Sequence, residues 1–161
     1  PIRTERERSE LWKLFTKGDV DILASDHAPH TIEEKTEANA FQAASGIPGL
    51  ETSLPLMLTQ VSRGKLSLRR LVETAATRPA NTFRLANKGA LQEGYDADIV
   101  LIDPKKKSTI DPKNFLSKAK YTPFKGFRCT GTAAYTIVNG TVVAQDGKIV
   151  GPPAGKVTRA A

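Results

Sequence analysis

Val20-Asp21-Ile22-Leu23-Ala24-Ser25 runs directly into Asp26-His27-Ala28-Pro29-His30. The first six residues are short, β-branched and mostly apolar, the composition of a buried strand in a parallel sheet. The next five form a polar cluster at the strand's carboxyl end, where α/β barrels place their active sites. Upstream, Thr4-Glu5-Arg6-Glu7 has capping-box spacing, and Leu11, Leu14 and Phe15 follow at helical spacing before Gly18. That pattern predicts an amphipathic helix over Thr4–Lys17. Downstream, residues 31–49 read as a long loop closed by the turn chemistry of Ser45-Gly46-Ile47-Pro48-Gly49. Leu54, Met57, Leu58 and Val61 then mark a helix, with Pro55 tolerable in its first turn and Gly64 at its end. Ser67 caps a further helix carrying Leu68, Leu71, Val72 and Ala75; Pro79 is read as its stop, with a short helix over about Ala80–Leu85.

After Asn87 the pattern changes. Glycines punctuate short β-branched runs: Asp98–Ile102, Ala134–Val138, Thr141–Ala144 and Lys148–Val150 read as strands. Asn139-Gly140 and Asp146-Gly147 are type I′ hairpin signals. A helix-and-strand segment therefore precedes an all-β segment, with the boundary near residue 86. One strand and its helices do not close an α/β fold, because a parallel strand needs parallel neighbours. Residues 1–86 are thus expected to be the last part of a larger barrel or sheet, with bare apolar surface and unpaired backbone where the rest would pack.

The 161 residues are 39% hydrophobic and 25% charged, a globular composition with no apolar run long enough for a membrane span. A single cysteine, Cys129, excludes an intramolecular disulfide and any zinc site of several thiolates. It is expected to be a buried, inert thiol. The chain starts Pro1-Ile2-Arg3-Thr4, without an initiator Met or a secretory apolar run. The expectation is a processed, trimmed or partial chain in the cytoplasm. The net charge of +7 is uneven: residues 103–161 hold 11 basic and 3 acidic residues. The run Lys105-Lys106-Lys107 reads as a solvated loop; no aromatic residues interleave with it, and nucleic acid is not expected as a partner.

Asp26, His27 and His30 are the only grouped metal-capable side chains, and the two histidines are the only ones in the chain. A carboxylate at a strand end can ligate a metal, act as a general base, or both. Asp26 and His30 can be a pair of site residues, or the cluster can be an N-cap aspartate with surface histidines; spacing does not decide. A catalytic zinc needs three protein ligands, and these residues cannot assemble the usual nitrogen and sulfur set.

Ala24-Ser25-Asp26-His27-Ala28-Pro29-His30-Thr31 with Glu33-Glu34-Lys35 resembles a signature of the dihydroorotase family. So does the block Ser45-Gly46-Ile47-Pro48-Gly49-Leu50-Glu51-Thr52 with Leu54-Pro55-Leu56. Pro79-Ala80, Asn87-Lys88-Gly89, Gly94–Val100, Tyr121-Thr122-Pro123-Phe124 and Gly126 fit the same family in order. The resemblance covers essentially the whole chain, but only the C-terminal portion of such an enzyme. It implies an α/β fold: the C-terminal part of a metal-dependent (β/α)₈ barrel over 1–86, then part of a small β-sandwich over 87–161. Leu101, Ile137, Val138 and Val142 would be core in that sandwich. The implied activity is zinc-dependent interconversion of L-dihydroorotate and N-carbamoyl-L-aspartate in pyrimidine biosynthesis. The family's other metal ligands lie upstream, so this stretch alone is expected to be inactive.

By the same resemblance, Asp26 is the catalytic aspartate, binding one metal and shuttling the proton. His30 binds the substrate carboxylate, Ser45 and Gly46 form the loop whose backbone touches substrate, and His27 is structural. Hydantoinases and allantoinases share the motif around the aspartate but usually differ where His30 stands. The cofactor implied is zinc, one or two ions in the intact enzyme. The partners implied are the small-molecule substrate, the missing N-terminal barrel portion, and a second copy or aspartate transcarbamoylase. The alternatives are a non-catalytic dihydroorotase-like partner of that transferase, or another cyclic amidase.

Overall fold

A computed structural model describes residues 4–36, 39 and 41–160. The chain opens with α1, Glu5–Lys17, whose boundaries follow the local chemistry. Thr4 and Glu7 form the expected capping box, and Gly18 ends the helix at φ 119°, a left-handed conformation that glycine adopts without a side-chain clash. Its one buried residue is Phe15; Trp12 packs beside it. Residues 20–25 belong to no strand ladder. The Leu23 amide donates to the Thr74 carbonyl (3.0 Å), a helical residue rather than a strand neighbour. The expected strand is absent for a physical reason: a ladder needs a second extended segment beside it, and the described residues supply none there.

The expected loop 31–49 contains a short helix, α2, Ile32–Lys35, introduced by a second capping box between Thr31 and Glu34. Residues 37, 38 and 40 of that stretch lie outside the described residues. The next helix, α3, spans Leu50–Ser62 and starts earlier than the periodicity suggests, so Pro55 sits inside it rather than in its first turn. Ser67 caps α4, Leu68–Val72, as expected. Pro79 does not stop this segment. A wide turn of π-helix, Glu73–Thr77, leads straight into α5, Arg78–Thr82, with Pro79 in its first turn. There a missing N–H costs nothing. The buried face also differs from the expected one: Arg70, Leu71 and Thr74 are buried, whereas Leu68 and Val72 are exposed. The Arg70 guanidinium donates to the carbonyls of Phe15 (2.8 Å) and Val20 and lies 5.5 Å from the Phe15 ring centroid. It ties the end of α1 to α4.

The remainder is a four-stranded antiparallel meander in the order β1–β2–β3–β4. The strands are β1 (Ile99–Thr109), β2 (Arg128–Val138), β3 (Thr141–Gln145) and β4 (Lys148–Ile149). Both hairpin signals hold: Asn139-Gly140 and Asp146-Gly147 all have positive φ, as type I′ turns require. The first two strands are longer than expected. Lys105, Lys106 and Lys107 lie within β1 rather than in a loop, at a register shift where Asp103 accepts the amides of Lys105 and Lys106 (2.9 and 3.0 Å). The sheet is single; no second layer of a sandwich occurs among the described residues. Accordingly Leu101 and Val142, expected as core, are 48% and 41% exposed, while Ile137 and Val138 are half-buried.

The core sits between α3 and the other elements. Leu58 packs with Phe15, Leu66 and Leu71, and Ile102 of β1 joins them. On the sheet side, the Thr130 amide donates to Thr59 Oγ1 (3.0 Å), and Gly131 (φ 94°) lies so close that a Cβ there would meet Leu58 Cβ at 2.8 Å. Cys129 is free and buried with Ile110 and Phe115.

Candidate active site

Asp26 follows the extended segment 20–25 and turns the chain with φ 45°, a left-handed conformation uncommon outside glycine, asparagine and aspartate. Its side chain is exposed and joins none of the hydrogen bonds or ion pairs found among the described residues. Residues 26–30 run beside the loop 45–49. His27 and Ile47 form a parallel bridge, and the Ala28 amide donates to the Ile47 carbonyl (3.0 Å). Glycines make this approach possible. A Cβ on Gly46 (φ 93°) would meet Ala28 Cβ at 2.5 Å, and one on Gly49 would meet the Ser25 carbonyl oxygen at 2.8 Å. The structure thus brings the Asp26–His30 segment and the Ser45–Gly46 loop together.

His27 has a structural role. Its Nδ1 accepts the amides of Gly49 and Leu50 (3.1 Å each), which lie at the start of α3. The N-cap there is Gly49, which has no side chain to cap with, so the imidazole does the capping. Accepting at Nδ1 leaves the ring proton on Nε2.

His30 is 38% exposed, and its Nδ1 lies 3.2 Å from Glu34 Oε2. The same carboxylate accepts the Thr31 amide (2.8 Å) and the Lys118 ammonium (3.0 Å to Oε1). The Thr31 amide, then Lys118 and His30, hold the Glu34 carboxyl down to about 2. An ionised carboxylate only accepts, so His30 donates from Nδ1. Next to it, Lys35 Nζ donates to the carbonyls of Ala44 and Gly46 (2.7 Å each) and lies 5.8 Å from the Tyr121 ring centroid. The Tyr121 hydroxyl is buried without a hydrogen-bond partner among the described residues. Burial, and then the negative charge of Glu34, push its phenol upward.

Glu51, in the first turn of α3, accepts from the Leu116 amide (2.7 Å), the Ser117 amide (3.1 Å) and the Ser117 hydroxyl (2.7 Å). Burial opposes its ionisation, but the Ser117 hydroxyl and the two amides together hold it below the usual carboxylate range.

Among the described residues, no three His, Cys, Asp or Glu side chains gather closely enough to hold a metal ion. A metal centre therefore does not fit these residues by themselves; Asp26 can offer its carboxylate as one ligand of a larger set. A cavity of about 310 Å³ lies between α1 and residues 20–24, lined by Leu11, Trp12, Phe15, Ile22 and Met57 among others. Another of about 230 Å³ lies between α3 and the sheet. Neither is lined by Asp26, His30, Ser45 or Gly46.

A model of the amidohydrolase family matches residues 3–143. The chain belongs to the amidohydrolase family. It is 42% identical over 156 residues to the dihydroorotase of Pyrococcus abyssi, a match covering 97% of this chain and 37% of that protein. It is 46% identical over 131 residues to the dihydroorotase of Methanosphaera stadtmanae, covering 81% and 30%. The L-hydantoinase of Paenarthrobacter aurescens is 42% identical over 154 residues, covering 93% and 34%. Among solved structures, L-hydantoinase from Arthrobacter aurescens superposes with a TM-score of 0.86 at 41% identity, over 93% of this chain and 34% of that one. D-hydantoinase from Thermus sp. gives 0.87 at 34% identity, over 94% and 34%. This amidohydrolase chain thus spans about a third of the length of the relatives it matches.

Sequence reasoning missed the partners of His30 and of the 44–46 loop. Thr31 and Glu34 repeat the spacing of Thr4 and Glu7, so the second capping box was readable. Nothing local announces Lys118, 84 residues away from Glu34.

Proposed function

We propose that this chain is part of a longer dihydroorotase, in which residues 1–86 complete the barrel and 87–161 form part of the sandwich. Asp26 would be the catalytic aspartate, His30 the residue receiving the substrate carboxylate, and Ser45 and Gly46 the loop against the substrate. The observation that carries this reading is the Asp26 carboxylate. It is exposed, in a turn conformation and without a partner among the described residues, beside a glycine-built loop and a histidine already oriented by Glu34. A purely structural aspartate at a turn is expected to bond nearby amides, as Asp103 and Asp111 do here.

Zinc, one or two ions, would take Asp26 as one ligand and its other ligands from the rest of the longer protein; when bound it supplies an acidified water. Asp26 would accept the proton of an attacking water as its oxygen bonds to the ring carbonyl carbon. The ring C–N bond then breaks, and Asp26 returns the proton to the departing nitrogen. His30, its Nδ1 turned to Glu34, leaves its Nε2 edge to face a carboxylate on the substrate. The product, N-carbamoyl-L-aspartate, places the enzyme in pyrimidine biosynthesis in the cytoplasm. Further partners in this reading are a second copy of the enzyme or aspartate transcarbamoylase.

The hydantoinase matches favour a second reading, in which the substrate is a cyclic amide without that carboxylate. Kinetics on the full-length zinc-loaded protein separate the two. Turnover of L-dihydroorotate is expected, falling by about 10³ in kcat for Asp26→Asn and rising in KM for His30→Ala. Opening of hydantoin, with no turnover of dihydroorotate, would transfer the assignment to the hydantoinases.

A further inference from the structure

Glu34 and Lys35 are neighbours on a single turn of α2, yet they reach in different directions. Glu34 reaches back to the His30 ring and across to Lys118. Lys35 spends two donors on carbonyls that bracket Ser45, those of Ala44 and Gly46. We propose that this turn is a clip: Glu34 and Lys35 are positioning residues that fix the spacing between the His30 ring and the Ser45–Gly46 backbone, and so set affinity for the substrate's carboxylate end. The proposal rests on the dihydroorotase reading for its substrate but not for its geometry.

The physical case is one of order. The loop Ala43-Ala44-Ser45-Gly46 carries only small side chains, Ser45 alone being polar, and ordering it costs conformational entropy. Lys35 supplies two charge-assisted hydrogen bonds, each stronger than a neutral one. The Lys35 ammonium lies over the ring of Tyr121, which with Lys118 belongs to the segment following the three-residue helix at Pro112–Asn114. The clip is thus held from outside α2 at two points, Lys118 on Glu34 and Tyr121 under Lys35. A four-residue helix alone would fray. Because the clip touches neither the reacting bond nor Asp26, it acts on binding rather than on the chemical step.

The test uses the full-length zinc-loaded protein and two independent readouts. Lys35→Met keeps the aliphatic stem and removes the donors. It is expected to raise KM for L-dihydroorotate about tenfold with kcat within about twofold, and Lys35→Arg is expected to restore part of the loss. Glu34→Gln is expected to raise KM by a smaller factor, about threefold. Amide hydrogen exchange at residues 44–47 is expected to speed up in Lys35→Met but not in Glu34→Gln. Unchanged exchange in Lys35→Met overturns the clip whatever the substrate proves to be. A fall in kcat at constant KM overturns the positioning role. Loss of dihydroorotate turnover in the unsubstituted protein, with exchange responding as expected, overturns the substrate reading and leaves the clip standing.

Discussion

Helices α1 and α3 are both thirteen residues long, and their fates differ. α3 lies between the other helices and β2, and it buries Thr52, Leu58 and Thr59. α1 has the more regular amphipathic pattern, yet buries only Phe15 and leaves Leu11 and Leu14 56% and 46% exposed. Beside it residues 20–24 run without strand partners, and the two flank an apolar cavity. Periodicity tells a helix which face to bury; it does not supply what the face is buried against. The α3 side of the chain is satisfied from within, whereas the α1 side has the composition of an interior and the exposure of a surface. That contrast fits a chain matching about a third of its relatives' length.

The strongest way to break the contrast is functional. The 161-residue chain alone, with excess zinc, is expected to show no turnover of L-dihydroorotate, because three metal ligands do not gather among its described residues. Measurable zinc-dependent hydrolysis would mean that the α1 side is complete as it stands. Next in size, Leu58→Ala should cost about 2–5 kcal/mol in urea unfolding. Leu11→Ala should stay within about 0.5 kcal/mol in the isolated chain and become costly in the full-length protein; equal costs in the two contexts would mean that nothing further packs on α1. Smaller again, His27→Phe keeps a ring but loses the acceptor for the Gly49 and Leu50 amides. A loss of about 1 kcal/mol is expected, and an unchanged unfolding midpoint would remove the imidazole from the capping of α3.

The smallest effect is electrostatic. The folded-state value of Glu34 is depressed from 4.5 to about 2, so its contribution is fully present above pH 4.5. It fades as acid protonates the carboxyl on the way down to about pH 2. Glu34 is exposed, so the difference in melting temperature between wild type and Glu34→Gln should be small at neutral pH and should vanish in acid. A difference that grows on acidification would reverse the sign and exclude the ion pair with Lys118.

Local chemistry was the legible part of this molecule. Thr4, Gly18, Ser67, Asn139-Gly140 and Asp146-Gly147 each act within a few residues of their own position, and each appears where the sequence puts it. The strand expected over 20–25 needs neighbours at a distance, and its apolar, β-branched composition cannot report whether they are present. Pro79 reads as a stop because its missing N–H is counted against a regular α-helix; a wider turn just before it removes the conflict. Leu101 and Val142 have strand-core composition, but only a second layer could cover them. In the candidate site, the Asp26–His30 cluster and the 45–49 glycines were visible as motifs, and their adjacency follows from the bridge between His27 and Ile47. Lys118 and Tyr121 were not, since only folding brings them to Glu34 and Lys35.

The wide turn at Glu73–Thr77 also acts as a phase shifter. One extra residue in a helical turn rotates everything beyond it by about 100°, and that rotation is what points Ala80 inward, where its methyl group leaves room only for a glycine at position 89. Wound as a regular α-helix with every residue kept, the same segment would aim Pro79 at that spot, and the larger ring would not seat against position 89.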